Sequence, residues 1–202
     1  MFKSFEEIEE FCTKNNIQMV DFKMIDLLGR WRHLSIPVKR FNKEILVHGI
    51  GFDGSNYGFA PVEKSDMVFI PDISTSFADP FVQTPTISMI GDVFTIGNPH
   101  QRFEQDPRTV ATHAEEYLKS SGIADEMRIG PEFEFYVFDN ITYETKPYSI
   151  GFTIDMEQAE WNTGNTQIHN QGYKVPLKGG YHITPPMDTL YDLRSQICML
   201  LE

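Results

Sequence analysis

The chain has 202 residues, 41% hydrophobic and 23% charged. That balance excludes disorder and collagen-like repeats, and a chain of this size can bury a real core. Its 29 acidic against 17 basic residues give a formal charge of −12, which excludes a nucleic-acid backbone binder, because such a protein needs a basic patch. No apolar run reaches the roughly 18–20 residues of a membrane helix. The N-terminus, Met1-Phe2-Lys3-Ser4-Phe5-Glu6-Glu7, lacks the basic-then-apolar pattern of a secretory signal. A cytoplasmic protein without nucleic-acid or membrane partners is expected. Cys12 and Cys198 are far apart in helical patterns and are expected to be buried, reduced thiols.

Ser4 and Glu7 form a capping box, followed by Phe5, Ile8, Phe11 and Cys12 on one helical face up to Asn15-Asn16. Val20, Phe22 and Met24 alternate with polar neighbours, so Met19 to Asp26 reads as a half-buried strand. Leu27-Leu28-Gly29-Arg30 turns the chain and Trp31 to Ile36 returns as a hairpin stopped by Pro37. Gly49 to Gly58 is dense in Gly and Asn and reads as a loop with positive φ angles. Met67 to Ile70 and Thr86 to Phe94 are two further strands. Residues 1–100 thus read as one helix on a small mixed sheet, a compact α+β unit.

Gly97-Asn98-Pro99-His100 reads as a linker. Asp106-Pro107 opens a helix whose buried face is Val110, Ala114, Tyr117 and Leu118, with Gly122 at its end. Arg128 to Asp139 has the strongest strand pattern in the chain, with Tyr148 to Ile154 as its expected partner. Trp161 to Pro176 reads as a loop. Asp188 is the expected cap of a last helix with Leu190, Leu193, Ile197 and Leu201 on one face.

Three segments carry candidate chemistry. In Gly130-Pro131-Glu132-Phe133-Glu134-Phe135 a strand would turn Phe133, Phe135 and Val137 into a core and Glu132 and Glu134 to the other face. Two neighbouring carboxylates repel, and either a hard divalent cation such as Mg²⁺ or Mn²⁺ or an open aqueous face accounts for them. In Phe52-Asp53-Gly54-Ser55 the Asp53 carboxylate either projects from the loop or closes an Asx turn. In Lys178-Gly179-Gly180-Tyr181 the glycines permit close backbone approach and Tyr181 brings a hydroxyl. By itself this is a turn with a following strand. No Walker or dinucleotide fingerprint is present, and the six histidines show no metal-site spacing.

Taken in order, these segments resemble the type I glutamine synthetase family. Val20-Asp21-Phe22 through Asp26-Leu27-Leu28-Gly29-Arg30-Trp31 is similar to its opening hairpin, Phe52-Asp53-Gly54-Ser55 to its F-D-G-S loop, and Asp106-Pro107-Arg108 to its D-P-R helix start. Ser65-Asp66-Met67, Pro71-Asp72 and Asp79-Pro80-Phe81 follow the same family in order. Gly130-Pro131-Glu132-Phe133-Glu134-Phe135 resembles G-P-E-x-E-F. Lys178-Gly179-Gly180-Tyr181 with Pro185-Pro186 and Asp188 resembles K-G-G-Y-x-x-x-P-P-x-D.

The resemblance implies a β-grasp-like N-terminal domain over residues 1–100 and, over 101–202, the incomplete N-terminal part of a glutamine-synthetase-type catalytic α+β domain. It implies ATP-dependent ligation of ammonia to glutamate through a γ-glutamyl phosphate, aided by divalent ions. Glu132 and Glu134 match two metal-ligating glutamates, here for Mg²⁺ or Mn²⁺. Asp53 matches an aspartate that serves a neighbouring subunit's ammonium pocket in a homo-oligomeric ring, and Tyr181 matches a tyrosine of that pocket. Asn56 stands where many members carry a second serine, and Gln105 where many have arginine. The family's remaining metal, ATP and glutamate ligands lie downstream of K-G-G-Y, so the 202-residue chain alone is expected to be inactive. A γ-glutamyl-amine ligase, suggested by Asn56, and a non-catalytic module that joins an intact synthetase are the alternatives.

Overall fold

The computed structural model describes residues 2–161 and 174–202. The chain divides into two compact units, Met1–Ile129 and Gly130–Glu202.

The first unit opens with α1 (Phe5–Lys14), where the Ser4 hydroxyl accepts from the Glu7 N–H at 3.3 Å. The Glu7 carboxylate returns to the Lys3 N–H at 2.7 Å, one residue upstream of the expected box partner. Ile8 and Cys12 are buried, and Asn16 ends the helix with φ 51°. The expected hairpin forms from β1 (Met19–Ile25) and β2 (Trp31–Pro37), with Met19 opposite Pro37. A short helix, α2 (Lys43–His48), comes next, capped by Asn42, which accepts from the Ile45 N–H at 3.3 Å. The remaining strands are β3 (Ile50–Asp53), β4 (Asp66–Pro71), β5 (Phe77–Ala78), β6 (Thr86–Thr95) and β7 (Gln101–Arg102).

The sheet runs β2-β1-β6-β4-β3, and β6 is its axis. Residues 86–90 of β6 pair in parallel with β1, while 91–95 pair antiparallel with β4. β5 and β7 add to β6 as well. The change of partner falls at Gly91, where a Cβ would collide with the Ile70 carbonyl. One strand shared between two sets of neighbours curls the sheet around a core of Ile8, Val20, Phe22, Met24, Phe69, Ile87, Met89 and Val93. Phe22 sits between Phe41 and Phe69 at ring separations of 6.0 and 5.7 Å. α3 (Pro107–Ser120) closes the unit.

Several expectations for this unit are corrected. The Gly- and Asn-rich stretch is not all loop: it supplies β3 and a 3₁₀ turn, Gly54–Tyr57, with positive φ only at Gly49 and Gly58. Gly97 to His100 is not a linker but the turn between β6 and β7. The Val110, Ala114 and Tyr117 face of α3 is exposed, Tyr117 to 76%. α3 is held instead at its N-terminus, where Asp106 and Thr109 are buried.

The second unit holds β8 (Asn140–Lys146), β9 (Ser149–Asp155) and α4 (Tyr191–Leu201). The expected strand Arg128 to Asp139 is not formed. β9 pairs with β8, across the two-residue turn Pro147-Tyr148, and not with that segment. The two-residue turn lets β8 and β9 pair across the shortest possible loop. Phe133 and Phe135 are exposed, at 82% and 57%, and not in a core. No strand succeeds the Lys178-Gly179 turn. α4 has Leu190 at its N-cap, so Asp188 does not cap it. Cys12 is buried as expected, whereas Cys198 is exposed. The expected loop Trp161 to Pro176 lies mostly outside the described residues.

Candidate functional site

Asp53 ends β3, and the next few residues fix it in place. Phe52 packs against Tyr57 and Phe59 at ring distances of 5.5 and 6.3 Å, and Phe59 against Phe103 at 5.4 Å. The Gly54 N–H donates to the Ser65 carbonyl at 2.7 Å, and the Phe59 N–H donates to the Gly54 carbonyl at 3.0 Å. Gly54 is buried, and a Cβ there would fall on the Met67 sulfur, so the backbone approaches as only glycine allows. One Asp53 oxygen, Oδ1, accepts from both the Ser55 N–H at 2.9 Å and the Ser55 hydroxyl at 2.6 Å.

Asp53 is thus both an Asx turn and an exposed carboxylate, and the two sequence readings coexist. The Ser55 hydroxyl and amide, with the Ser65 hydroxyl, hold its carboxyl below the usual aspartate range against a small burial penalty. Asp66 lies opposite it in the β3–β4 register. Asn56 is exposed in the same 3₁₀ turn, so the first unit brings Asp53 and Asn56 together.

Tyr181, Glu132 and Glu134 belong to the second unit. Tyr181 is 84% exposed and stacks on His182 at 4.0 Å between ring centres. Lys178 and His182 flank the glycine pair with φ of 61° and 57°. A hollow of about 590 Å³ is lined by Tyr181, His182, Gln158, Asp188 and Arg194 among others. Asp188 accepts from the Leu190 N–H at 3.2 Å and from Arg194 Nη1 at 3.0 Å. The Gln158 amide donates to the Met187 carbonyl at 2.7 Å, tying this loop down.

Glu132 and Glu134 are exposed in a segment without regular secondary structure. Among the described residues, no group of three or more His, Cys, Asp or Glu is placed to hold a metal ion. Two carboxylates are the right donors for a hard cation but fewer than an octahedral ion needs, so they fit as part of a ligand set.

Sequence reasoning missed two ionic networks in the first unit. On the outer face of β1 and β2, beside a groove of about 670 Å³, Lys23 Nζ meets Asp79 Oδ2 at 2.5 Å, Asp21 Oδ2 at 3.3 Å and the Ser88 hydroxyl at 2.9 Å. The other Asp21 oxygen contacts His33 Nδ1 and the Ser35 hydroxyl, both at 2.6 Å. Every charged group of this cluster has an internal partner, so it acts as a strut between strands. The alternation of Asp21 and Lys23 on β1 was its sequence signal, but the loop residue Asp79 has no pattern pointing to it. In the second network, Arg108 donates through Nε to Asp92 at 2.9 Å and through Nη2 to Asp72 at 2.8 Å. The buried Asp106 accepts from the Val93 N–H at 3.1 Å and from the Arg108 N–H at 3.4 Å. The D-P-R motif is therefore a clamp that fastens the start of α3 to β6 and to the end of β4.

A curled sheet with β6 as axis defines the class of the first unit, a β-grasp-like fold, and a second α+β unit follows it. Two family models match, the glutamine synthetase β-grasp domain over residues 16–96 and the glutamine synthetase catalytic domain over residues 104–202. The chain belongs to the glutamine synthetase family. A glutamine synthetase from Frankia alni is 38% identical over 205 residues, covering 100% of this chain and 43% of that protein. One from Aquifex aeolicus is 36% identical, covering 97% and 41%. A protein named 3-hydroxylaminophenol mutase from Cupriavidus pinatubonensis is 36% identical, covering 100% and 43%. The cryo-EM structure of Plasmodium falciparum glutamine synthetase superimposes with a TM-score of 0.83 at 26% identity, over 99% of this chain and 40% of that one. The chain spans about two fifths of the length of the curated relatives it matches.

Proposed function

We propose that the chain supplies the N-terminal portion of a glutamine synthetase, with residues 1–100 as its β-grasp-like domain and 101–202 as the first part of its catalytic domain. The reaction is ATP-dependent: the side-chain carboxylate of glutamate takes the terminal phosphoryl group of ATP, releasing ADP. Ammonia then attacks the γ-glutamyl phosphate and expels phosphate. The observation that carries this reading is the Asp53 loop, an exposed carboxylate held ionised at the end of a strand.

In this reading Asp53 attracts ammonium and takes its proton, leaving the nucleophile uncharged. Asn56 and Tyr181 complete the ammonium pocket. Asp53 serves a neighbouring copy in a homo-oligomeric ring, which makes the active site inter-subunit. Glu132 and Glu134 are the carboxylates that would hold Mg²⁺ or Mn²⁺, which when bound neutralises charge on the transferring phosphoryl group. A cytoplasmic location belongs to the same reading. Among the described residues no helix is long and apolar enough to cross a membrane.

The test is to replace the matching segment of the Frankia alni relative with this chain and to measure γ-glutamyl hydroxamate formation. The chimera is expected to retain ATP- and Mg²⁺-dependent activity, and Glu132→Gln with Glu134→Gln to raise the Mg²⁺ requirement. The 202-residue chain alone is expected to form no hydroxamate. An inactive but correctly assembled chimera, or activity in the isolated chain, would count against the proposal. Asn56 supports a second reading with a larger amine as acceptor, and competition between methylamine and ammonia in the same chimera separates the two.

A further inference from the structure

We propose that Ser55 is the positioning residue for Asp53. The inference rests on the ligase reading only for what Asp53 does, not for how it is held. Asp53 is exposed, so no packing restricts its side chain. A free aspartate rotates about two bonds and offers water either oxygen. Here the Ser55 N–H and hydroxyl converge on the same oxygen, Oδ1, at 2.9 and 2.6 Å. Two donors on one acceptor leave the carboxylate a single orientation and stabilise its ionised form. The turn that carries Ser55 is itself fixed, because Gly54 is pinned between the Ser65 carbonyl and Met67. Position 55 therefore turns the rigidity of the strand pair into a defined direction for an exposed charge.

Asp66 lies opposite Asp53 on β4, and a small burial penalty is what favours protonation of Asp53. Ser55 works against that penalty. A serine at this position thus does more than close a turn. The backbone N–H alone would close it, while the hydroxyl adds a second donor on the same oxygen that fixes the carboxylate and favours its ionised form.

The experiment titrates the Asp53 side-chain carboxyl by carbon-detected NMR in the 202-residue chain and in three variants. Ser55→Ala and Ser55→Gly remove the hydroxyl and keep the backbone donor. Ser55→Thr restores the hydroxyl. Asp53 is expected to titrate below the ordinary aspartate range in the parent, at higher pH in both Ser55→Ala and Ser55→Gly, and back near the parent value in Ser55→Thr. Backbone amide shifts of β4 report whether the loop stays folded. A general loosening of the loop would move those shifts and would not be rescued by threonine. An unchanged Asp53 titration in folded Ser55→Ala or Ser55→Gly overturns the proposal, as does a failure of Ser55→Thr to restore it. The ligase reading fails by a different sign. If the titration moves as expected while Asp53→Asn leaves ammonia use in the chimera intact, the positioning stands and the catalytic role falls.

Discussion

Lys23 lies between two carboxylates, and its surroundings give the first unit a defined acid response. Burial alone would raise the Asp21 carboxyl, but Ser35, His33 and Lys23 together bring it below the usual range. Burial likewise opposes Lys23, the Phe81 N–H and Ser88 at Asp79, and again the lowered value wins. An acid whose folded pKa is depressed contributes stability that is complete above its unfolded pKa of about 4. That stability is lost as pH falls through the folded value. Urea midpoints measured from pH 7 downwards should therefore hold steady to about pH 5 and then decline. Lys23→Met should lower the midpoint at neutral pH, by about 1–3 kcal/mol in stability, and flatten the acid decline. At the D-P-R clamp, Asp106→Ala removes both a helix cap and the partner of the buried Val93 N–H. Thermal unfolding should report a loss of about 2–4 kcal/mol, the sum of a cap and an unsatisfied donor.

At the level of elements, legibility tracks local chemistry. α1 and the β1–β2 hairpin are readable because a cap, an alternating run and a glycine turn each sit within a few residues. The Asp106-Pro107 helix start is readable for the same reason. α2 escapes a sequence reading although Asn42 and Glu44 are ordinary start signals, because six residues give too short an apolar period. Arg128 to Asp139 alternates as a strand would but pairs with no strand among the described residues, and β9 pairs with β8 instead. The motif residues at Asp53 are legible as a candidate site. Their geometry is not, since the Ser55 and Met67 contacts depend on a 3₁₀ turn and on a cross-strand neighbour. α3 gives a direct check on the burial pattern. With its apolar face exposed, Tyr117→Ser and Val110→Ser should each change the stability of this chain by no more than about 0.5 kcal/mol. A loss of several kcal/mol would mean that the face is covered after all.

For the molecule as a whole, the acidic charge takes on internal detail. Asp21, Asp26, Asp79, Asp92 and Asp188 are engaged with Lys23, Arg30, Arg32, Arg102, Arg108 or Arg194, so part of the excess is structural. Asp53 is the contrasting case: its fixed hydrogen bonds come from serine, and among the described residues no basic side chain is within ion-pair distance of it. A carboxylate held ionised and exposed without an internal cation is suited to an external one, and the proposed ligase makes that cation ammonium. The most direct test is the ammonia dependence of glutamine formation in the chimera carrying Asp53→Asn. The expected result is a fall in kcat/KM for ammonia of about 10²–10⁴, the usual range for removing a general base, with ATP binding preserved. An Asp53→Asn chimera that uses ammonia as well as its parent would contradict the catalytic role of Asp53.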